Sequence, residues 1–134
     1  MKIVDNLLQP AREQELAAQA CISHISRLQR IIDRFASCEG SNREVMIETL
    51  DKLREAEEQL NRHIDRLVDY REKALKYLEK LTGEEYAVIY RYYIKGENWQ
   101  KIAAETFMSE RRVSLLRSSA LNILETFYEQ EGNN

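Results

Sequence analysis

The side chains with the clearest chemical pattern lie between Ser109 and Leu124, in SERRVSLLRSSALNIL. Val113, Leu116, Ala120, Ile123 and Phe127 recur at steps of three and four, the spacing of one buried stripe on an amphipathic helix. With that stripe turned inward, Arg111, Ser114, Leu115, Ser118 and Asn122 face outward, and Arg112 and Arg117 lie on the flanks. An arginine in the first turn of such a helix presents a two-pronged donor set that matches the O6 and N7 edge of guanine. Serine hydroxyls donate to bases or phosphates. An outward leucine fits the methyl group of thymine. The first backbone N–H groups, with Ser109 as N-cap, and the flanking arginines suit phosphates. Glu110 accepts from a cytosine amino group or offsets the helix dipole. The chemistry expected of this face is recognition of double-stranded DNA in the major groove.

Short elements upstream must position that helix. Asn98 is placed to cap a brief helix holding Trp99, Ile102 and Ala103, and a tight connection through Phe107 and Met108 leads to Ser109. Thr82 and Glu85 have the spacing of a capping box for a preceding helix, and Gly83 loosens the chain there. Residues 82–128 are therefore expected to form a three-helix unit ending in a helix-turn-helix, in which a small alanine, Ala120, marks a close crossing. Trp99 and the tyrosines Tyr86, Tyr90, Tyr92 and Tyr93 read as core and rim aromatics rather than base-stacking groups.

The run L-T-x-x-E, a tyrosine-rich helix, W-x-x-I-A, S-x-x-x-V and A-L resembles the C-terminal helix-turn-helix of bacterial sigma factors, their region 4. The matching positions are Leu81, Thr82, Glu85, Ile102, Ala103, Ser109, Arg112, Val113, Ala120, Leu121 and Leu124. The chain departs from that pattern at Ser114, Leu115 and Arg117. The likeness extends upstream into LNRHIDRLVDYREKAL, residues 60–75, and over roughly residues 45–125 the chain is similar to small phage and prophage proteins of Gram-positive bacteria, in the style of the ArpU and RinA regulators of late genes. The resemblance implies a transcriptional regulator working in the cytoplasm of a bacterial host cell, with RNA polymerase as a partner.

The amino-terminal part reads as two long helices. After Pro10, Cys21, Ile25, Leu28, Ile32 and Phe35 step by four and three. Gly40 breaks the pattern, and Ser41 with Glu44 makes a capping box for a second helix. That helix is expected to run to about Leu81, with Met46, Leu50, Leu53, Leu60, Ile64, Leu67, Ala74, Leu78 and Leu81 on one seam, interrupted at Glu57 and Arg71. A short connection makes the two helices antiparallel neighbours, so residues 1–81 are expected to be a helical hairpin or coiled coil. The second helix is the longer, and its overhang leaves part of the seam bare. Ile64, Leu67, Tyr70, Ala74, Tyr77 and Leu78 are the positions expected to meet either the folded-back C-terminal unit or a second chain, in a homodimer or higher oligomer. The fold class expected is all-α. The polar end, residues 129–134, is expected to fray.

Composition narrows the function. The 134 residues hold four glycines and one proline, with 32% charged side chains, which favours helices over a loop-rich or all-β fold. No apolar run approaches the roughly 20 residues that span a bilayer, and MKIVDNLLQPAREQE lacks the apolar core of a signal peptide, so a membrane is not an expected partner. Cys21 and Cys38, if on one helix, stand about 25 Å apart, beyond disulfide reach. Cys21 with His24 makes at most half a metal site. There is no glycine-rich phosphate loop, Ser–His or Cys–His arrangement or HExxH, and neither an enzyme nor a cofactor is expected. Charge tempers the DNA expectation: residues 1–80 carry 14 basic and 15 acidic side chains, and residues 81–125 carry six of each. DNA affinity from one copy is then modest, needing two recognition helices or a partner. The alternative expectation is a helical assembly factor that docks onto transcription or DNA-packaging machinery, in the manner of a small terminase.

Overall fold

The computed structural model describes residues 1–37 and 43–132. The expected break at Gly40, the cap at Ser41, Cys38 and the last two residues of the polar end lie outside the described residues. Among the described residues the chain is all helical: α1 (Gln9–Ala36), α2 (Arg43–Leu78), α3 (Gly83–Ile89), α4 (Trp99–Glu105) and α5 (Glu110–Gly132). A π-helical turn, Val4–Leu8, precedes α1, and a second, Tyr90–Ile94, continues α3. None of these helices is long and apolar enough to cross a membrane.

Helical backbone starts at Lys2, well ahead of the expected start after Pro10. Proline has no N–H, and its ring collides with the carbonyl four residues back in a regular helix. The wide turn accommodates this: the Gln9 N–H bonds to the Val4 carbonyl, five residues back. The other end of the chain caps this helix. Glu125 accepts the N–H groups of Lys2 at 3.0 Å and Ile3 at 2.8 Å, placing a carboxylate at a helix N-terminus.

α1 and α2 pack along one another. Along α2, Met46, Thr49, Leu53, Ala56, Leu60, His63, Leu67, Tyr70 and Ala74 all have reduced exposure and alternate by three and four, with Val45, Arg71 and Leu75 beside them. The expected seam is thus one residue out of frame in places. Thr49 is 7% exposed and Leu50 47%; His63 is half-buried against Gln14, at 2.7 Å, while Ile64 is 40% exposed. Small residues let the two backbones approach, so Thr49 and Ala56 take the inner positions. Glu57 lies outside the seam and interrupts nothing. Arg71 also lies beside it, reaching Glu15 at 2.8 Å and the Ile94 carbonyl at 3.1 Å.

The overhang expected on α2 is covered by this chain itself. Ala74 and Leu78 share a core with Ile3, Leu7 and Leu8 from the N-terminus, Ile89, Tyr93 and Ile94, and Ala120, Leu121 and Leu124 of α5. Leu67, Ala74 and Leu78 are buried within the single chain, and Tyr70 and Tyr77 are half-buried, so these positions owe their cover to their own chain and not to a second one. A second core of Val88, Ile102, Ala103 and Val113 joins α3, α4 and α5. α5 continues through Gly132, past the expected end at residue 128.

Candidate nucleic-acid interface

The α4–turn–α5 unit is fixed at both helix starts. Asn98 Oδ1 accepts the Lys101 N–H at 2.8 Å, and Ser109 Oγ accepts the Arg112 N–H at 3.1 Å. Between them the backbone turns through Phe107, whose φ is +57°. The Met108 N–H returns to the Ala103 carbonyl at 3.0 Å, closing the end of α4 as a Schellman motif. Met108 then packs on the second core together with Trp99 and Leu116. The capping box expected at Thr82 does not close. Gly83 follows it with φ +58°, outside the helical range that box requires, and Glu85 reaches Ser119 at 3.5 Å instead.

With Val113 and Ala120 buried, Ser109, Arg111, Arg112, Ser114, Leu115, Arg117, Ser118 and Asn122 are all exposed. The three arginines are not equivalent. Arg112 is ion-paired with Glu84 of α3. Arg117 lies over the Trp99 ring, 5.0 Å from its centroid, and its charge acts on the Tyr93 hydroxyl. That separates it from the expected role of a free flanking phosphate contact. Arg111 has no partner among the described residues and projects from the first turn of α5. Ser109 uses its oxygen as a cap, while among the described residues the side chains of Ser114, Ser118 and Asn122 have no partner on the outer face. A groove of about 170 Å³ between α4 and α5 adds Gln100 and Glu110 to this surface. Gln100 was not singled out by sequence; its signal was its place in the first turn of α4, beside Trp99.

An aromatic column behind the face also escaped sequence reasoning. The Tyr92 and Trp99 rings stack at 3.8 Å with 9° between planes. Arg12 lies 3.8 Å from the Tyr92 centroid and donates to the carbonyls of Tyr92 and Glu97, at 2.6 and 3.0 Å. The order Arg12, Tyr92, Trp99, Arg117 runs from α1 to α5, two cations closing a pair of rings. Burial pushes the Tyr93 hydroxyl upward in pKa, against the pull of Arg117. A hydrogen bond from Arg91, at 2.6 Å, holds the Glu97 carboxyl below its ordinary 4.5, assisted by the charges of Arg91 and Lys101.

Among the described residues no three His, Cys, Asp or Glu side chains gather where they could hold a metal ion. Cys21, half-buried on α1, is a free thiol. Comparison of the chain with protein-family models, curated proteins and solved structures returns no match.

Proposed function

We propose that this chain is a sequence-specific regulator of transcription that binds double-stranded DNA, in the manner of phage and prophage regulators. In this reading α4, the turn at Phe107 and α5 are a helix-turn-helix, and Ser109–Leu124 enters the major groove. The observation that carries it is the pair of formed caps at Asn98 and Ser109 around one shared core, which leaves Arg111, Ser114, Leu115, Ser118 and Asn122 as an unencumbered outer face. Arg111 is the base-reading arginine. Arg112 and Arg117 act chiefly by bracing α5.

Residues 1–81 are then an antiparallel hairpin through which two copies associate, supplying the paired recognition helices that a charge-balanced unit needs. Ile22 and Ile64 support this. Each lies seven residues from the Glu15–Arg71 pair, in opposite chain directions, and with Val68 they remain exposed on the hairpin. A second reading is favoured by Phe107 and Leu115, 96% and 62% exposed: docking onto RNA polymerase or packaging machinery through this apolar edge, without sequence readout.

Binding of the purified chain to fragments of its source genome, titrated with salt, tests the proposal. The expected result is one fragment bound over competitor with a steep salt slope. Arg111→Ala should cost about 1–3 kcal/mol at that fragment and relax sequence preference. Arg117→Ala should weaken all sequences alike. Uniformly weak, salt-insensitive binding by the wild type refutes the regulator and leaves the docking reading.

A further inference from the structure

We infer that the cleft between the N-terminal turn, the end of α2 and the end of α5 is a binding site for a small organic anion with a flat aromatic body. The cavity is about 330 Å³, within the range of small-molecule sites. Its walls are Leu7 and the rings of Tyr70, Tyr77 and Tyr128, the last two tilted at 55° with centroids 5.6 Å apart. Its rim carries Lys73, Lys76 and Lys80, which recur on one face of α2 and its continuation.

The lysines complement the C-terminal dipole of α2, which accounts for their sign. It does not account for an aromatic cavity beneath them. Lys80 lies over the Phe127 ring, 5.2 Å from its centroid, whereas Lys73 and Lys76 have no ion pair or hydrogen bond among the described residues. The one carboxylate at the cavity is Glu131, and it accepts the Tyr77 hydroxyl. Burial, this bond and the Glu131 charge push Tyr77 up to about 12, so its hydroxyl is a protonated donor at neutral pH. Two lysines outside any ion pair among the described residues, ring faces and a phenol donor together select a planar ring carrying a phosphate or carboxylate. A DNA duplex is the wrong size for a cleft of this volume. The site also lies toward the far end of α5, about 26 Å along the helix from Arg111. Glu131 then acts as a resident competitor, its carboxylate holding the place that the ligand's anionic group would take.

The proposal does not rest on DNA binding, and its test needs no DNA. The full chain is titrated with adenosine monophosphate, inorganic phosphate and adenosine, read by amide chemical shifts. Saturable binding of the monophosphate is expected, with shifts gathered at residues 70–80 and 128–131, and with phosphate and adenosine each at least roughly tenfold weaker. The exposed double variant Lys73→Ala/Lys76→Ala should weaken the monophosphate about tenfold, and Glu131→Gln should tighten it by roughly threefold. Its thermal unfolding, checked in parallel, shows that the variant is folded. Adenosine or phosphate binding as tightly as the monophosphate would overturn the assigned ligand class. So would an unchanged affinity in the lysine variant, or no saturation of the monophosphate below about 5 mM.

Discussion

Phe107 is a conformational contradiction that a single substitution should relieve. It occupies the position after the cap of α4, where the Schellman motif needs a left-handed residue, and its φ is +57°. Glycine is the usual occupant, because an L side chain in that region loses roughly 1–2 kcal/mol. Burial supplies no compensation, since the ring is 96% exposed. Replacing it with glycine removes the strain and adds the greater unfolded-state freedom of glycine, which costs about 0.5–1 kcal/mol. The strain term wins, and Phe107→Gly should stabilise the chain by about 0.5–1 kcal/mol. For a chain of 134 residues that corresponds to a rise in Tm of roughly 2–5 °C. Phe107→Ala is the control. It deletes the ring and keeps the left-handed penalty, so it should fall within about 0.5 kcal/mol of the wild type. Thermal unfolding followed by circular dichroism, at two protein concentrations, measures both. A loss of more than about 1 kcal/mol in either variant refutes the reasoning, because the ring would then be burying apolar area that the single chain does not provide. A loss that grew with protein concentration would locate that area on a second copy.

Three further outcomes follow from the same contacts. Asn98→Ala and Ser109→Ala each remove the acceptor of a cap bond, at 2.8 and 3.1 Å, and should each cost about 1 kcal/mol in urea unfolding, with Asn98→Asp close to wild type. In the α1–α2 seam, Ala56→Asp buries an unpaired charge and should cost at least about 2–4 kcal/mol, whereas Glu57→Ala, on the exposed neighbour, should change stability by less than about 0.5 kcal/mol. Equal effects would place the seam in the frame of Leu50 and Ile64. Glu97 has a folded-state pKa below 4.5, so its contribution is present above that value and is lost as the pH falls through the folded value. Glu97→Gln should therefore be less stable than wild type at neutral pH, and the gap between them should narrow as acid is added below pH 4.5. A gap that stays constant with pH would show that the Arg91 contact does not discriminate the ionised form.

Much of the C-terminal half was legible because its signals are local. A cap residue followed by a stripe at three and four positions, as at Asn98 and Ser109 with Val113 and Ala120, refers to neighbours within two helical turns. The second half of α5 departs from that stripe. Leu121 and Leu124 are buried while Ile123 and Phe127 are only half-buried, since here the helix meets the N-terminus and α2 as well as α3. The α1–α2 seam lies one residue from the frame that apolar size predicts, because Leu50 and Ile64 are the larger apolar side chains yet face outward. Close helices instead selected Thr49 and Ala56, and a polar pair, His63 with Gln14. The candidate face was legible in its exposure but not in its electrostatics. Helical geometry turns Arg111 outward and puts Arg112 and Arg117 on the flanks, and only tertiary contacts with Glu84 and Trp99 show that the flanking pair is engaged.

Three contacts with no sequence signature tie the C-terminal half to the N-terminal turn, α1 and α2. Glu125 caps the N-terminal helix from the other end of the chain, Arg71 bonds to the Ile94 carbonyl, and Arg12 closes the column that ends on Arg117. Each joins residues far apart in sequence, and each couples a charge or a fork of donors to backbone groups or ring faces, which resist displacement in particular directions. Three such ties, added to a core drawing on Ile3, Leu78 and Leu124, leave α5 little freedom to swing about Thr82. The consequence for the proposed regulator is geometric. If two copies meet through their hairpins, the separation and tilt of their two α5 helices are set by that contact and not by a flexible joint. Half-site spacing in the bound DNA would then be narrow, and a change in the hairpin would alter DNA recognition without touching Arg111.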